Sequence, residues 1–311
     1  MEPAPFEHAL SEGPADVVVG WTRAADGVRL RFGLWQVPDA KGTILLFTGR
    51  TEYLEKYGRV IKELTAQGYC VASIDWRGQG HSDRLMTDPR LGHVAHFRDY
   101  QLDVAALVSE VEAAGLPGPR FLIAHSMGGA IGLRALIDGL DVRRAVFSGP
   151  MWGIYAPKHI ETVSLMLLAF ATRLGQAHRL VPGTQVEGHV TATDFKDNKL
   201  TTDRESYDYI TRQSKSVPAF SLGGPTFHWL GQALGEIETL HEDAKPEIPV
   251  RVFVGRADPI VHRKMIGALV ESWPSATLDF LPGGKHELMI EMPELRNRFM
   301  RETVAFFDEA L

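Results

Sequence analysis

The sequence predicts an α/β protein: a mostly parallel central sheet flanked by helices and interrupted by an inserted helical segment. Three observations predict it. Strand-like apolar runs alternate with helix-like stretches, the rhythm of a sheet with right-handed crossovers. Runs such as TILLFTG (43–49) and FLIAHS (121–126) are apolar at nearly every position, as strands buried on both faces are. The rhythm stops after Pro150 and returns at Pro249. A chain of 311 residues with 44% hydrophobic content can bury a sizeable core.

The elements follow in order. VVVGWTR and VRLRFGLWQV flank Ala24-Ala25-Asp26-Gly27, and Asp-Gly favours the positive φ of a hairpin turn. TILLFTG is the first parallel strand. A helix over 57–67 stops at Gly68, and YCVASIDW is the next strand. Residues 97–114 read as a helix, FLIAHS as a strand, then a helix from Met127 or Gly128, then the strand RRAVFSG. From Met151 to about Leu234 no strand run appears, and the segment is helical or irregular. PVRVFVG, a helix over 265–271, ATLDFLPG and an amphipathic helix over 293–311 complete the pattern. Residues 1–150 and 235–311 therefore read as the core, and 151–234 as an inserted helical cap.

The net charge is −6, from 33 basic and 39 acidic residues, which argues against a nucleic-acid partner. The single cysteine, Cys70, allows no intramolecular disulfide and sits in a strand-like run, so it reads as a buried inert thiol. This suits a reducing, cytoplasmic setting. The acidic N-terminus has no basic start or apolar h-region and does not read as a secretory signal. No run approaches a membrane span; VSLMLLAFA (163–171) is too short and reads as a buried or interfacial helix.

Ser126 lies where the buried strand FLIAHS meets a helix. A sharp turn there lifts a side chain above the C-terminal edge of the sheet, provided its neighbours are small. Ala124, Gly128 and Gly129 meet that demand, with alanine in the position usually held by glycine. The alternative is an ordinary helix cap, since serine is a good N-cap. A nucleophilic serine needs a base, and the base needs an orienting carboxylate, in the chain order Ser, Asp or Glu, His. Asp258 follows the strand PVRVFVG, and His286 lies in the glycine-rich loop after the last strand. Asp279, the rival carboxylate, falls inside a strand pattern. Acyl transfer also needs oxyanion donors. The backbone N–H groups of Met127 and Arg50 are the candidates, with Gly49 letting the chain turn close to the site. The chemistry needs no metal and no organic cofactor.

These motifs resemble a known family. AHSMGG looks like the elbow of the α/β-hydrolases related to monoacylglycerol lipase and bacterial lysophospholipase L2, the group with the S33 serine aminopeptidase type of hydrolase domain. FTGRTEYLEKYGRVIKELTAQGYCVASIDWRGQGHSDR is similar to that family's oxyanion loop and its Asp-x-Arg-Gly-x-Gly-x-Ser strand end. VFVGRADPIV and GGKHELMIE resemble its acid and base loops, and DNKLTTDRESYDYI and LGGPTFHWL its cap. The resemblance runs from about Gly27 to Phe307. Two departures stand out: Ala124 at the elbow, and Thr48-Gly49 where the family often has His-Gly. The resemblance implies an α/β-hydrolase fold with an inserted cap, Ser126, Asp258 and His286 as a triad, and Arg50 and Met127 as oxyanion donors.

The expected activity is hydrolysis of a fatty-acyl monoester, a lysophospholipid or a monoacylglycerol, by a lipid-binding serine hydrolase. Small soluble esters, a proline-type aminopeptidase and a non-catalytic binding protein are the alternatives. Met151, Trp152, Phe227 and Trp229 in the insertion are candidate substrate contacts; the competing reading is that such residues hold the cap to the core. The same apolar residues leave peripheral contact with a membrane, at its inner face, as an option. Asp75 and Arg77 read as loop ties, His125 as a support for the turn, and His93 and His96 as surface loop histidines. Glu52 either anchors the oxyanion loop or is an exposed charge.

Overall fold

The chain opens with β1 (Glu2–Pro3) and α1 (His8–Ser11), both too short to leave a periodic signal. The antiparallel pair β2 (Val18–Arg23) and β3 (Arg29–Trp35) follows. Gly27 closes it at φ 89°, its N–H donating to the Ala24 carbonyl at 2.8 Å. Then come β4 (Gly42–Phe47), α2 (Gly58–Ala66), β5 (Tyr69–Ile74), α3 (Tyr100–Ala113), β6 (Arg120–His125), α4 (Met127–Ile137) and β7 (Arg144–Ser148). Among the described residues, four α-helices separate β7 from the next strand: α5 (Lys158–Arg173), α6 (His189–Ala192), α7 (Arg204–Ser216) and α8 (Phe227–Glu242). The chain ends with β8 (Val250–Gly255), α9 (Arg263–Glu271), β9 (Ala276–Leu281) and α10 (Pro293–Asp308). This computed structural model describes residues 2–156 and 158–311, with the side chains of all of these except 158–165, 189 and 191.

The nine strands of the described residues join one sheet in the order β1-β2-β3-β5-β4-β6-β7-β8-β9. The pairings from β5 through β4, β6, β7 and β8 to β9 are parallel, and the three at the N-terminal end are antiparallel. Side chains of the central strands alternate between two cores. Leu45, Phe47, Leu122, Ala124, Ala145 and Phe147 belong to one, with side chains from α3 and α4. Ile44, Leu46, Phe121, Ile123, Val146 and Phe253 belong to the other, with side chains from α2 and α10. Covering both faces is why these strands are apolar throughout rather than alternating. Truncating a fully buried residue such as Leu46 to alanine costs about 2–5 kcal/mol.

Between residues 151 and 234 the described residues contain no named strand, only isolated bridges. Thr226 starts α8 by accepting the Trp229 N–H on its Oγ1 at 3.1 Å. This helix passes position 234 unbroken and packs on α4 and α5. Buried Arg134 on α4 joins Glu236 on α8 and Asp243 just beyond it, each at 2.6 Å. The helical segment is thereby tied to the sheet domain at the helix that starts beside Ser126.

Candidate active site

Strand β6 turns into α4 at a single residue. Ser126 takes φ 50° and ψ −117°, a conformation that costs a non-glycine residue about 1–3 kcal/mol. The surroundings hold it there: its N–H donates to the Ser148 carbonyl at 3.1 Å, and its carbonyl accepts from Gly129 and Met151, both at 2.8 Å. A Cβ on Gly128 would overlap the Phe47 and Thr48 carbonyl oxygens, and one on Gly129 would lie 2.6 Å from Pro150 Cβ. Ala124 is fully buried, and its methyl faces Gly132. The Ser126 side chain makes no cap hydrogen bond to α4.

Instead Ser126 Oγ lies 2.9 Å from His286 Nε2, and His286 Nδ1 lies 2.8 Å from Asp258 Oδ2. The other Asp258 oxygen accepts the N–H groups of Ile260 at 2.7 Å and Val261 at 3.2 Å. Burial opposes the charged form of Asp258. The His286 charge, its hydrogen bond and the two backbone donors outweigh that, so the carboxyl sits below its ordinary range. A carboxylate held ionised against Nδ1 leaves Nε2 free to accept the serine proton. Asp279 is elsewhere on β9, paired with Arg251 at 2.8 Å.

The N–H groups of Arg50 and Met127 donate to no acceptor among the described residues, and Met127 opens a helix, where a first N–H has no intrahelical partner. The Arg50 loop is braced from behind. Gly49 N–H donates to the Glu52 carboxylate, Trp76 Nε1 to the Thr48 carbonyl at 2.9 Å, and Gln79 Nε2 to the Gly49 carbonyl at 2.8 Å. Ser126 and His286 open on a cavity of about 360 Å³. Its walls are mainly apolar, with Met151, Ile154, Leu200, Ile210, Pro225, Trp229 and Ile260 among them. A half-buried serine hydroxyl, an imidazole beside it and two free N–H donors at an apolar cavity can support acyl transfer.

Comparison with known proteins identifies the family. The profile described as "Serine aminopeptidase, S33" matches residues 38–293. The chain belongs to this family. The S33 chain is 30% identical to the probable lysophospholipase L2 of Haemophilus influenzae over 267 residues, 85% of this chain and 83% of that protein. It is 26% identical to the monoglyceride lipase of Rattus norvegicus over 289 residues, 89% and 86% of the two chains. A soluble variant of the Saccharomyces cerevisiae monoglyceride lipase, solved with a substrate analog, shares the fold with a TM-score of 0.73 at 20% identity, covering 99% of each chain.

In this S33 protein Met151 and Trp229 line the cavity, whereas Trp152 and Phe227 do not. Trp152 is fully buried: its Nε1 donates to the Gly129 carbonyl at 3.0 Å and its ring packs on Phe147 and Trp273. Phe227 begins α8 with its side chain buried away from the cavity. Trp152 is thus an apolar anchor, and composition alone does not separate an anchor from a contact. Ile260, beside the acid, and Leu200 and Ile210 in the helical segment were not singled out from sequence. Ile260 had a signal, since it lies two residues after Asp258.

Glu52 is buried and accepts the Gly49 N–H, so it anchors the loop that carries Arg50 and is not an exposed charge. It belongs to an ionic cluster directly behind His286. Lys56 Nζ lies between Glu52 and Glu287, 2.6 Å from Glu287 Oε1. His125 Nε2 lies 3.3 Å from Glu287 Oε2, and its Nδ1 donates to the Ser148 carbonyl at 2.8 Å. Glu52, His125 and Glu287 have the composition of a metal site, but the Lys56 ammonium already supplies the countercharge. Asp75 ties Arg31, Leu54 and His81 together, and Arg77 joins Asp103 to Asp26. His93 bonds Thr226 Oγ1 at 3.0 Å and stacks on His228, while His96 is exposed. No helix among the described residues is long and apolar enough to cross a membrane.

Proposed function

We propose that this protein hydrolyses fatty-acyl monoesters, lysophospholipids or monoacylglycerols, through an acyl-serine intermediate. The observation that carries the reading is the unbroken line Asp258–His286–Ser126, opening on a mainly apolar cavity. His286 Nε2 takes the Ser126 proton as Oγ attacks the acyl carbonyl. The Arg50 and Met127 N–H groups receive the oxyanion. His286 then protonates the departing alcohol, and water, activated by the same nitrogen, releases the fatty acid. The relatives named lysophospholipase and monoglyceride lipase support this substrate class. An aminopeptidase would need a carboxylate for the substrate's ammonium. The two glutamates lining the cavity, Glu52 and Glu287, are both bound by Lys56.

Residues 151–234 act as the cap that selects the acyl chain, with Met151 and Trp229 at its contact with the substrate. Each methylene buried there is worth about 0.8 kcal/mol, enough to read chain length. The cap also meets a membrane surface. Met166, Leu167 and Phe170 on α5, and Leu174 just after it, are 66%, 39%, 61% and 55% exposed. An apolar face of this kind suits the headgroup boundary from which a single-chain lipid is drawn. We place the protein in the cytoplasm, peripheral to the inner membrane face. The test is hydrolysis of lysophosphatidylcholine, monoacylglycerol and esters of graded chain length by one preparation. A preference for short soluble esters overturns the lipid reading.

A further inference from the structure

Arg50 offers more than its backbone. Its side chain crosses from the oxyanion loop to the helical segment, where Nη2 donates to the Gly223 carbonyl at 2.7 Å and the guanidinium lies 5.0 Å from the centre of the Trp229 ring. The slot is built for it. A Cβ on Gly92 would overlap Nη2, and Gly92 is held in place by hydrogen bonds with Gly224 (3.2 Å) and Thr226 (2.9 Å).

What the slot lacks is an acid. Arg50 Nε is sealed from solvent without an acceptor, and Nη1 donates to nothing among the described residues. Among the described residues the fully buried guanidiniums are all paired with acids: Arg31 with Glu55 and Asp75, Arg77 with Asp103 and Asp26, Arg134 with Glu236 and Asp243. Half-buried Arg84 resembles Arg50 in bonding carbonyl oxygens, of Gly78 and Ala219, but does not line the cavity. The glutamates nearest along the cavity wall are occupied by Lys56. Desolvation pushes Arg50 down to about 10, so it is still a cation at neutral pH. Exposed Lys199 lines the same cavity and adds a second positive charge. A desolvated cation without a counter-ion is costly to keep, and a ligand anion relieves the cost.

We propose that Arg50 binds the phosphate of a phosphorylated glycerol head group, so that the site favours lysophospholipids over uncharged monoacylglycerols. The inference rests on the ester-hydrolase reading of the same cavity. Arg50 would then serve both ends of one substrate: its N–H at the acyl oxygen, its guanidinium at the phosphate. With Nε sealed and Nη2 on the Gly223 carbonyl, the N–H groups of Nη1 are the ones left to donate to a phosphate oxygen, a charge-assisted bond stronger than one between neutral groups.

Three measurements test it. In the first, Arg50→Met lowers the ratio of kcat/KM for a lysophosphatidylglycerol over a monoacylglycerol of the same acyl chain by about tenfold or more, whatever loss the two share. An unchanged ratio overturns the proposal. In the second, the octyl ether of glycerol and the same ether carrying a phosphate are titrated into Ser126→Ala protein by calorimetry. The phosphorylated ether binds more tightly, and Arg50→Met removes the difference; equal binding of the two ethers overturns the proposal. The third needs no substitution at Arg50. Glycerol phosphate competes with a neutral monoacylglycerol substrate of the unaltered protein, glycerol does not, and equal behaviour of the two speaks against the phosphate site. If the unaltered protein cleaves neither lipid, the hydrolase reading fails, and the calorimetry still decides the anion site.

Discussion

The methyl group of Ala124 fills space left by the missing side chain of Gly132: a Cβ built on Gly132 would lie 3.1 Å from it. Ala124 is on β6, locked in register between β4 and β7, and cannot retreat. The alanine at the start of the elbow and the glycine eight residues on are one packing solution.

Gly132→Ala should therefore destabilise the protein by about 1–3 kcal/mol, because the overpacking outweighs the gain in helix propensity. Leu122 Cδ2, also 3.1 Å from the added Cβ, is a flexible end and can yield; Ala124 is the fixed obstacle. In an Ala124→Gly background the same substitution should be close to neutral, giving a coupling of about 1–3 kcal/mol by urea denaturation of the four proteins. Additive losses would show that the methyl is not the constraint.

Ser126 sits at φ 50°, so its conformation opposes stability. Ser126→Ala should abolish ester turnover, by about 10⁴-fold or more, and leave the fold intact. Ser126→Gly should be equally inactive but melt higher than Ser126→Ala, because glycine relieves about 1–2 kcal/mol of backbone strain. Calorimetric melting of the two variants gives the comparison. A glycine variant no more stable than the alanine variant would mean the elbow is not strained.

The sheet, and the three side chains that the fold brings into one hydrogen-bonded row, were legible in the sequence for a physical reason. Strands buried on both faces must be apolar throughout, and the fold requires the acid and base after late strands, where Asp258 and His286 stand. Roles that depend on long-range packing were not legible. Trp152 and Trp229 are both tryptophans of the helical segment, yet one anchors on Gly129 and the other lines the cavity. Glu52 and Glu287 lie 235 positions apart and meet only through Lys56. Ala124 read as a departure from a pattern, because Gly132 faces it only once α4 is folded back onto β6.

The apolar face of α5 predicts a separation of membrane binding from chemistry. Phe170 is exposed and does not line the cavity. Phe170→Asp should reduce co-sedimentation with anionic lipid vesicles by about tenfold, from loss of the ring and repulsion of the added charge. Hydrolysis of a short soluble ester should be unchanged. Equal vesicle binding by the two proteins would remove α5 from the membrane contact.

The cluster behind His286 predicts how stability depends on pH. Burial opposes charge on Glu287, but Lys56 and His125 outweigh it and hold the carboxyl well below its ordinary value of 4.5. A carboxyl depressed on folding contributes stability that is complete above its unfolded value and is lost as pH falls through the folded one. His125 responds with the opposite sign. Burial disfavours its charge, Glu287 and Glu52 more than restore it, and its value rises above the ordinary 6.5. Its contribution is complete below that value and fades as pH rises through the raised one. Glu287→Gln removes the carboxylate on which both depend, leaving Lys56 with Glu52 alone. The loss should be about 3 kcal/mol between these two limits, near the lower end for breaking a buried ion pair. Unfolding of the two proteins by urea across the acid range should show the difference shrinking below about pH 4.5. A difference that stayed constant to the acid limit would mean that Glu287 is not held ionised by Lys56 and His125.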